Sequence, residues 1–247
     1  MAILLMTATV TPPAGATNLA RSDPTERMVD YRTALVFYIG ELEANVIDAI
    51  VFVDNSASDL GVLRELASSS SHANRIELIG FAGLDYPPEY GRGYGEMRLV
   101  DHAMAHAKLI DAASPDTMVW KVTGRYVVRN MQRLMTRSSA VDICCQCRDL
   151  PTRWADMYFM GWKKAAYAAT LLGTAERIKS GSGQPPAEVP FRQLIDELAR
   201  RWPVQRRFAE PPVIVGVRGW DNQPYEKQRG KSLVRKVLAR AAPWLWI

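Results

Sequence analysis

The chain alternates short β-branched runs with longer stretches whose apolar residues recur every three or four positions. Ala2 to Val10 is a run of strand formers, followed by a Pro/Gly/Ala loop through Thr17. The spacing changes at Asp23-Pro24. Met28, Tyr31, Leu35, Ile39 and Leu42 share one helical stripe, with Asp23 as N-cap and Pro24 at the first helical position. Ile47 to Val53 predicts a second strand, Leu60 to Ala67 a short helix and Arg75 to Phe81 a third strand. Leu84 to Gly95 is rich in Gly, Pro and Tyr and predicts a loop. Glu96 to Ala112 predicts a helix with Met97, Val100, Met104 and Ala107 on one face, and Thr117 to Lys121 the next strand. The second half is less regular. Strands are expected at Val141 to Cys147, Met157 to Gly161 and Pro212 to Val217, and helices at Lys163 to Thr174 and Phe191 to Trp202. A flexible loop runs from Ser180 to Pro186.

Strands alternating with helices predict an α/β fold, a mostly parallel sheet flanked by helices on both faces. Ligands of such sheets sit at the carboxyl ends of the strands. Three polar clusters fall there: Thr9–Thr11, Asp54-Asn55-Ser56, and Lys121 to Arg125 around Gly124, where a sharp turn is expected.

The 247 residues suffice for one large domain, and their 48% apolar and 23% charged content is that of an ordinary globular protein. No apolar run reaches the roughly 18 residues of a membrane span. The opening Met1 to Met6 lacks a basic stretch and reads as core strand rather than leader. Cys144, Cys145 and Cys147 lack the spacing of a zinc site and read as core thiols in a reducing cytoplasm. The net charge of +5 is concentrated: Arg218 to Ile247 hold seven cations against two acids, and the rest of the chain is neutral. A nucleic-acid-binding body is therefore not indicated.

Several chemistries lack their residues. There is no phosphate-binding P-loop, and Gly91-Arg-Gly-Tyr-Gly95 lacks dinucleotide-fold spacing. His102 and His106 have Ala103 where a zinc-protease helix needs Glu, and no Gly-x-Ser-x-Gly elbow exists. No Asp-x-Asp occurs, so no metal cofactor is expected. Fixed cations can stabilise a leaving diphosphate electrostatically instead. Lys121 and Arg125 are the first candidates and Arg27 the third. Residues 90–96 would bring backbone N–H groups to an anion at the next helix start, with Glu96 capping that helix or touching a sugar hydroxyl.

Four segments taken together resemble bacterial GT-A-type glycosyltransferases that build capsule, O-antigen or similar surface glycans. They are Arg27-x3-Tyr31-x3-Leu35-x-Phe37-Tyr38, Val51 to Ser56, Gly93 to Glu96, and Lys121-Val-Thr-Gly-Arg-Tyr126-x3-Asn130. The match spans roughly residues 3–135. The resemblance implies a GT-A-like (Rossmann-like) fold, a nucleotide-sugar donor and an enzyme that transfers the sugar. The missing Asp-x-Asp is similar to metal-independent members in which basic residues replace the metal. The donor-side residues are then Thr9, Thr11, Arg27, Asp54, Asn55, Ser56, Gly95, Glu96, Lys121, Thr123 and Arg125.

An inverting transferase needs a general base for the acceptor hydroxyl. Glu188, ahead of the helix at Phe191, and Asp156, ahead of the strand at Met157, are the two candidates; a retaining enzyme needs neither as base. The expected organisation is a single catalytic domain over 1–217, with a donor half (1–135) and an acceptor half (136–217), then a basic tail over 218–247. Within the tail Leu233, Val234, Val237, Leu238, Ala241 and Leu245 share one helical arc, Lys231, Arg235, Lys236 and Arg240 the other, and Trp244 and Trp246 follow. That pattern predicts a C-terminal amphipathic helix on the inner face of the cytoplasmic membrane, near a glycan or lipid-linked acceptor. The alternatives are a nucleotidyltransferase or a non-catalytic nucleotide- or sugar-binding domain of the same fold.

Overall fold

A computed structural model describes residues 1–14, 19–179 and 184–225. The amphipathic C-terminal segment lies outside the described residues.

In chain order the elements are β1 (Ala2–Ala8), α1 (Pro24–Glu43), β2 (Ala49–Asp54), α2 (Gly61–Ser68), β3 (Ile76–Gly80), α3 (Gly91–His106), α4 (Lys108–Asp111), β4 (Met118–Thr123), β5 (Val127–Val128) and α5 (Met131–Thr136). There follow β6 (Ile143–Arg148), β7 (Trp154–Lys163), α6 (Lys164–Ala166) with a π turn (Tyr167–Leu171), α7 (Thr174–Ile178), α8 (Glu188–Leu198), β8 (Val204–Gln205) and β9 (Ile214–Val215). Seven strands form one sheet in the order β3-β2-β1-β4-β7-β6-β8. β7 pairs antiparallel with both β4 and β6, while the other ladders of this sheet are parallel. β5 and β9 form a separate antiparallel pair.

β1 and β2 are apolar almost throughout because both of their faces are covered. One face packs on Tyr31, Leu35, Tyr38 and Leu42 of α1 and on Leu63 of α2. The other packs on Met97, Val100 and Ala103 of α3, and further along the same face Phe191, Leu194 and Ile195 of α8 cover β7. The crossovers after β1 and β2 thus lie on one face and the crossover into β4 on the other. The strand order reverses between β1 and β4, and a crevice opens outside the carboxyl ends at such a reversal.

Local chemistry sets the boundaries. Asp23 caps α1 as expected, accepting from the Glu26 N–H at 2.9 Å. The predicted loop through Gly95 is shorter than expected, since α3 begins at Gly91 and absorbs all three glycines. Their poor helix propensity is outweighed by packing. A Cβ on Gly93 would lie 2.3 Å from the Ala187 Cβ, and one on Gly95 would lie 1.8 Å from the Tyr86 hydroxyl. The expected Lys163 to Thr174 helix is instead a short α turn, the π turn and the start of α7. The cysteines are buried in β6 with free thiols, as core residues. Among the described residues no helix is long and apolar enough to cross a membrane.

Candidate active site

β1 and β4 run side by side up to Thr7 and Thr123, which are register partners. The chain then turns sharply at Gly124, whose N–H donates to the Thr7 carbonyl at 2.8 Å. A Cβ on Gly124 would stand 2.9 Å from that same oxygen and 3.3 Å from the Tyr31 ring, so glycine serves close approach here. Lys121, within β4, and Arg125, after the turn, lie on opposite faces of the sheet. Lys121 meets Glu96 of α3, whereas Arg125 lies by Asp30 of α1.

On the α3 face Lys121 is 1% exposed. Its ammonium forms a short ion pair with Glu96 and donates to the Met157 carbonyl and to Thr123 Oγ1. Thr7 and Thr123 hydroxyls also donate to Glu96 Oε1, each at 3.1 Å. Burial pushes the Lys121 ammonium down in pKa and the neighbouring Glu96 opposes this. The Glu96 side chain is 25% exposed, so Glu96 reaches the surface with the buried Lys121 beneath it. Glu188, the first residue of α8, joins this group. Burial pushes its carboxyl above the ordinary range; Glu96 and Asp156 add to the rise while its own backbone N–H and Arg92 oppose it.

On the α1 face Arg27 and Arg125 are 5% and 7% exposed. Arg27 donates to neutral oxygens: the Thr9 carbonyl at 2.8 Å, the Arg21 carbonyl at 2.9 Å and the Tyr31 hydroxyl at 3.1 Å. Arg125 donates to the Val217 carbonyl at 2.9 Å and lies over the Tyr126 ring, while its Nε is buried with no partner. The carboxylate beside it, Asp30, stands 3.9 Å off and is already gripped through two hydrogen bonds by Arg21. Burial pushes the Arg27 guanidinium down, and Arg125 adds to this against the pull of Tyr31. Two buried guanidiniums thus flank the β1–β4 reversal without a hydrogen-bonded carboxylate of their own.

The remaining nominated residues form the rim. Asp54 is fully buried and accepts from the Val10 N–H (2.8 Å), the Ser56 N–H (3.0 Å) and the Ser56 hydroxyl (2.8 Å). Thr9 Oγ1 donates to Asn55 at 2.7 Å, and the Thr11 N–H donates to the Ser56 hydroxyl at 3.0 Å. This network holds the loops after β1 and β2 together, beside Arg27 through Thr9. Gly95 lies within α3 against Tyr86, and Glu96 accepts from side chains in place of the expected helix cap. Asp156 accepts from the Trp154 indole at 2.9 Å and the Tyr158 hydroxyl at 3.1 Å, with Arg148 at 3.7 Å.

Sequence reasoning passed over Thr7, Tyr31 as a polar group, and Arg92. Tyr31 lies four residues after Arg27 on one helix, a spacing that could have disclosed their contact. Arg92 was obscured by its glycine neighbours. Among the described residues no group of three or more His, Cys, Asp or Glu is placed to hold a metal ion.

No protein-family model and no curated protein matches the sequence. Several solved structures are similar in outline. One, described as a nucleotide-diphospho-sugar transferase from Desulfovibrio desulfuricans G20, has a TM-score of 0.49 at 14% identity, over 83% of this chain and 78% of that one. A 4-diphosphocytidyl-2C-methyl-D-erythritol synthase gives 0.47 at 10% identity, over 96% and 98%. A mannosyltransferase from Pyrobaculum calidifontis, in complex with GDP-Man and Mn2+, gives 0.49 at 12% identity, over 95% of this chain and 62% of that one. At these levels the likeness concerns the arrangement of strands and helices and assigns no residue a role.

Proposed function

We propose that the protein is a glycosyltransferase that moves a sugar from a nucleotide-sugar donor to a glycan or lipid-linked acceptor, with arginines in place of a divalent metal. The observation that carries this reading is the pair Arg27 and Arg125, buried cations without a hydrogen-bonded counter-charge at the reversal of the sheet. A buried charge is costly unless it is paired, and a diphosphate supplies the missing anion. The Thr9, Thr11, Asp54, Asn55 and Ser56 rim, next to Arg27, takes the nucleoside end.

In the transfer, the bond between the anomeric carbon and the diphosphate oxygen breaks and the acceptor oxygen bonds to that carbon. Glu188 takes the acceptor's proton, its raised affinity for a proton suiting it to a base. Asp156, held by Trp154 and Tyr158, is the second candidate. The charge released onto the diphosphate is met by Arg125 and Arg27. Lys121 acts from beneath, orienting Glu96 and, through it, the Thr7 and Thr123 hydroxyls. The segment 231–247, by its residue pattern alone, attaches the protein to an anionic membrane surface.

Two measurements test this reading. Against a panel of nucleotide sugars in EDTA, at least one donor at 100 times its Kd should stabilise the fold by about 2.7 kcal/mol. No thermal shift with any donor refutes the donor assignment. Deleting Val234 to Ile247 removes Arg235, Lys236 and Arg240, each worth about 1 kcal/mol near an anionic leaflet. Co-sedimentation with anionic vesicles should fall accordingly, and unchanged co-sedimentation refutes the attachment.

A further inference from the structure

Arg92 is the second residue of α3, a helix of 16 residues that begins without a side-chain cap; the Gly91 N–H donates to the Pro88 carbonyl, and the helix dipole favours an anion here. The Arg92 side chain is exposed and has no hydrogen-bond partner among the described residues. Across from it, residues 217–219 close over Arg125: Val217 takes a hydrogen bond from Arg125, and the Gly219 carbonyl takes one from the Arg21 N–H at 3.0 Å. Gly219 is where the two cations meet. The point a Cβ would occupy there lies 2.9 Å from Arg125 Nη2, 3.5 Å from Leu19 Cδ1 and 3.6 Å from Arg92 Nη1. Both guanidiniums therefore pack close to Gly219 and to each other, within reach of a single anion, and the buried Arg125 Nε is unsatisfied.

We propose that Arg92 and Arg125 form a two-guanidinium clamp that grips the diphosphate of the ligand across Gly219. The inference rests on the donor reading and adds a binding residue to it. Arg92 also lies within electrostatic reach of Glu188, which puts the gripped anion close to the proton acceptor. Two guanidiniums present planar donor forks suited to phosphate oxygens, a geometry that lysine lacks.

The test is calorimetric titration of the full chain with inorganic pyrophosphate in EDTA. Because Arg92 is exposed and unpartnered, Arg92→Ala should fold normally and bind pyrophosphate at least tenfold more weakly, with Arg92→Lys intermediate. Gly219→Ala, whose new methyl crowds Arg125, should also weaken binding. Arg200→Ala, beyond the far end of α8, removes the same charge and should leave the affinity unchanged. If Arg92→Ala binds like wild type while Arg125→Ala does not, the clamp is wrong and the donor site stands. An equal loss in Arg200→Ala also overturns the clamp. If wild type binds no pyrophosphate, or Arg125→Ala binds it unchanged, the clamp and the diphosphate site both fall.

Discussion

Glu188 illustrates how burial sets chemistry at a single residue. Its carboxyl is pushed above its ordinary 4.5, mainly by burial, so the folded protein holds this proton more tightly than the unfolded chain does. Two consequences follow. If Glu188 is the base, kcat/KM should fall with decreasing pH through an apparent pKa above the ordinary glutamate value, and Glu188→Gln should abolish turnover. The stabilising contribution of this group is fully present below its unfolded pKa and is lost as pH rises through the folded one. Wild type should therefore lose stability relative to Glu188→Gln over that range, as measured by denaturation at several pH values. A rate limb at the ordinary glutamate pKa would contradict the assignment. Asp54 makes the contrasting case. Its carboxylate accepts three close hydrogen bonds from the β1 and β2 loops, so its first task is to hold the rim together.

At the scale of elements, the strand-to-turn junction at Gly124 decides which side chains share a site. Gly124→Ala would place a methyl 2.9 Å from a backbone oxygen. It should cost about 1–3 kcal/mol, as overpacking does, and lower Tm by roughly 2–4 °C per kcal/mol. A Tm equal to wild type would show that the turn relaxes freely. The same junction shows what was legible in the sequence. The parallel core, the Asp23 cap and the three polar clusters at the strand ends follow from periodicity and capping chemistry. That Lys121 and Arg125 part to opposite faces does not, because the direction taken after a glycine turn is set by packing against Thr7 and Tyr31. Nor could the start of α3 at Gly91 be read, since three glycines in one turn argue against helix until Tyr86 and Ala187 are in place to pack on them. The partnership of Lys121 with Glu96 joins residues 25 positions apart, beyond any local pattern.

Across the whole molecule, the two faces of the sheet bring different groups to the carboxyl ends of β1 and β4. The α1 face brings Arg27 and Arg125, and the α3 face brings Glu96, Lys121 and Glu188, with Arg92 at their border. Since the body outside Arg218 to Ile247 is neutral, this concentration of cations is local. On the proposed function, arginine does the work of a metal at the leaving diphosphate. The most direct test is the release of nucleoside diphosphate from a panel of nucleotide sugars with acceptor present, in excess EDTA, for wild type and Arg125→Ala. Turnover of at least one donor should persist in EDTA, and kcat should fall by about 100-fold or more in the variant, as when one preorganised transition-state donor is removed. Turnover that vanishes with chelator, or an Arg125→Ala enzyme as fast as wild type, would contradict the account.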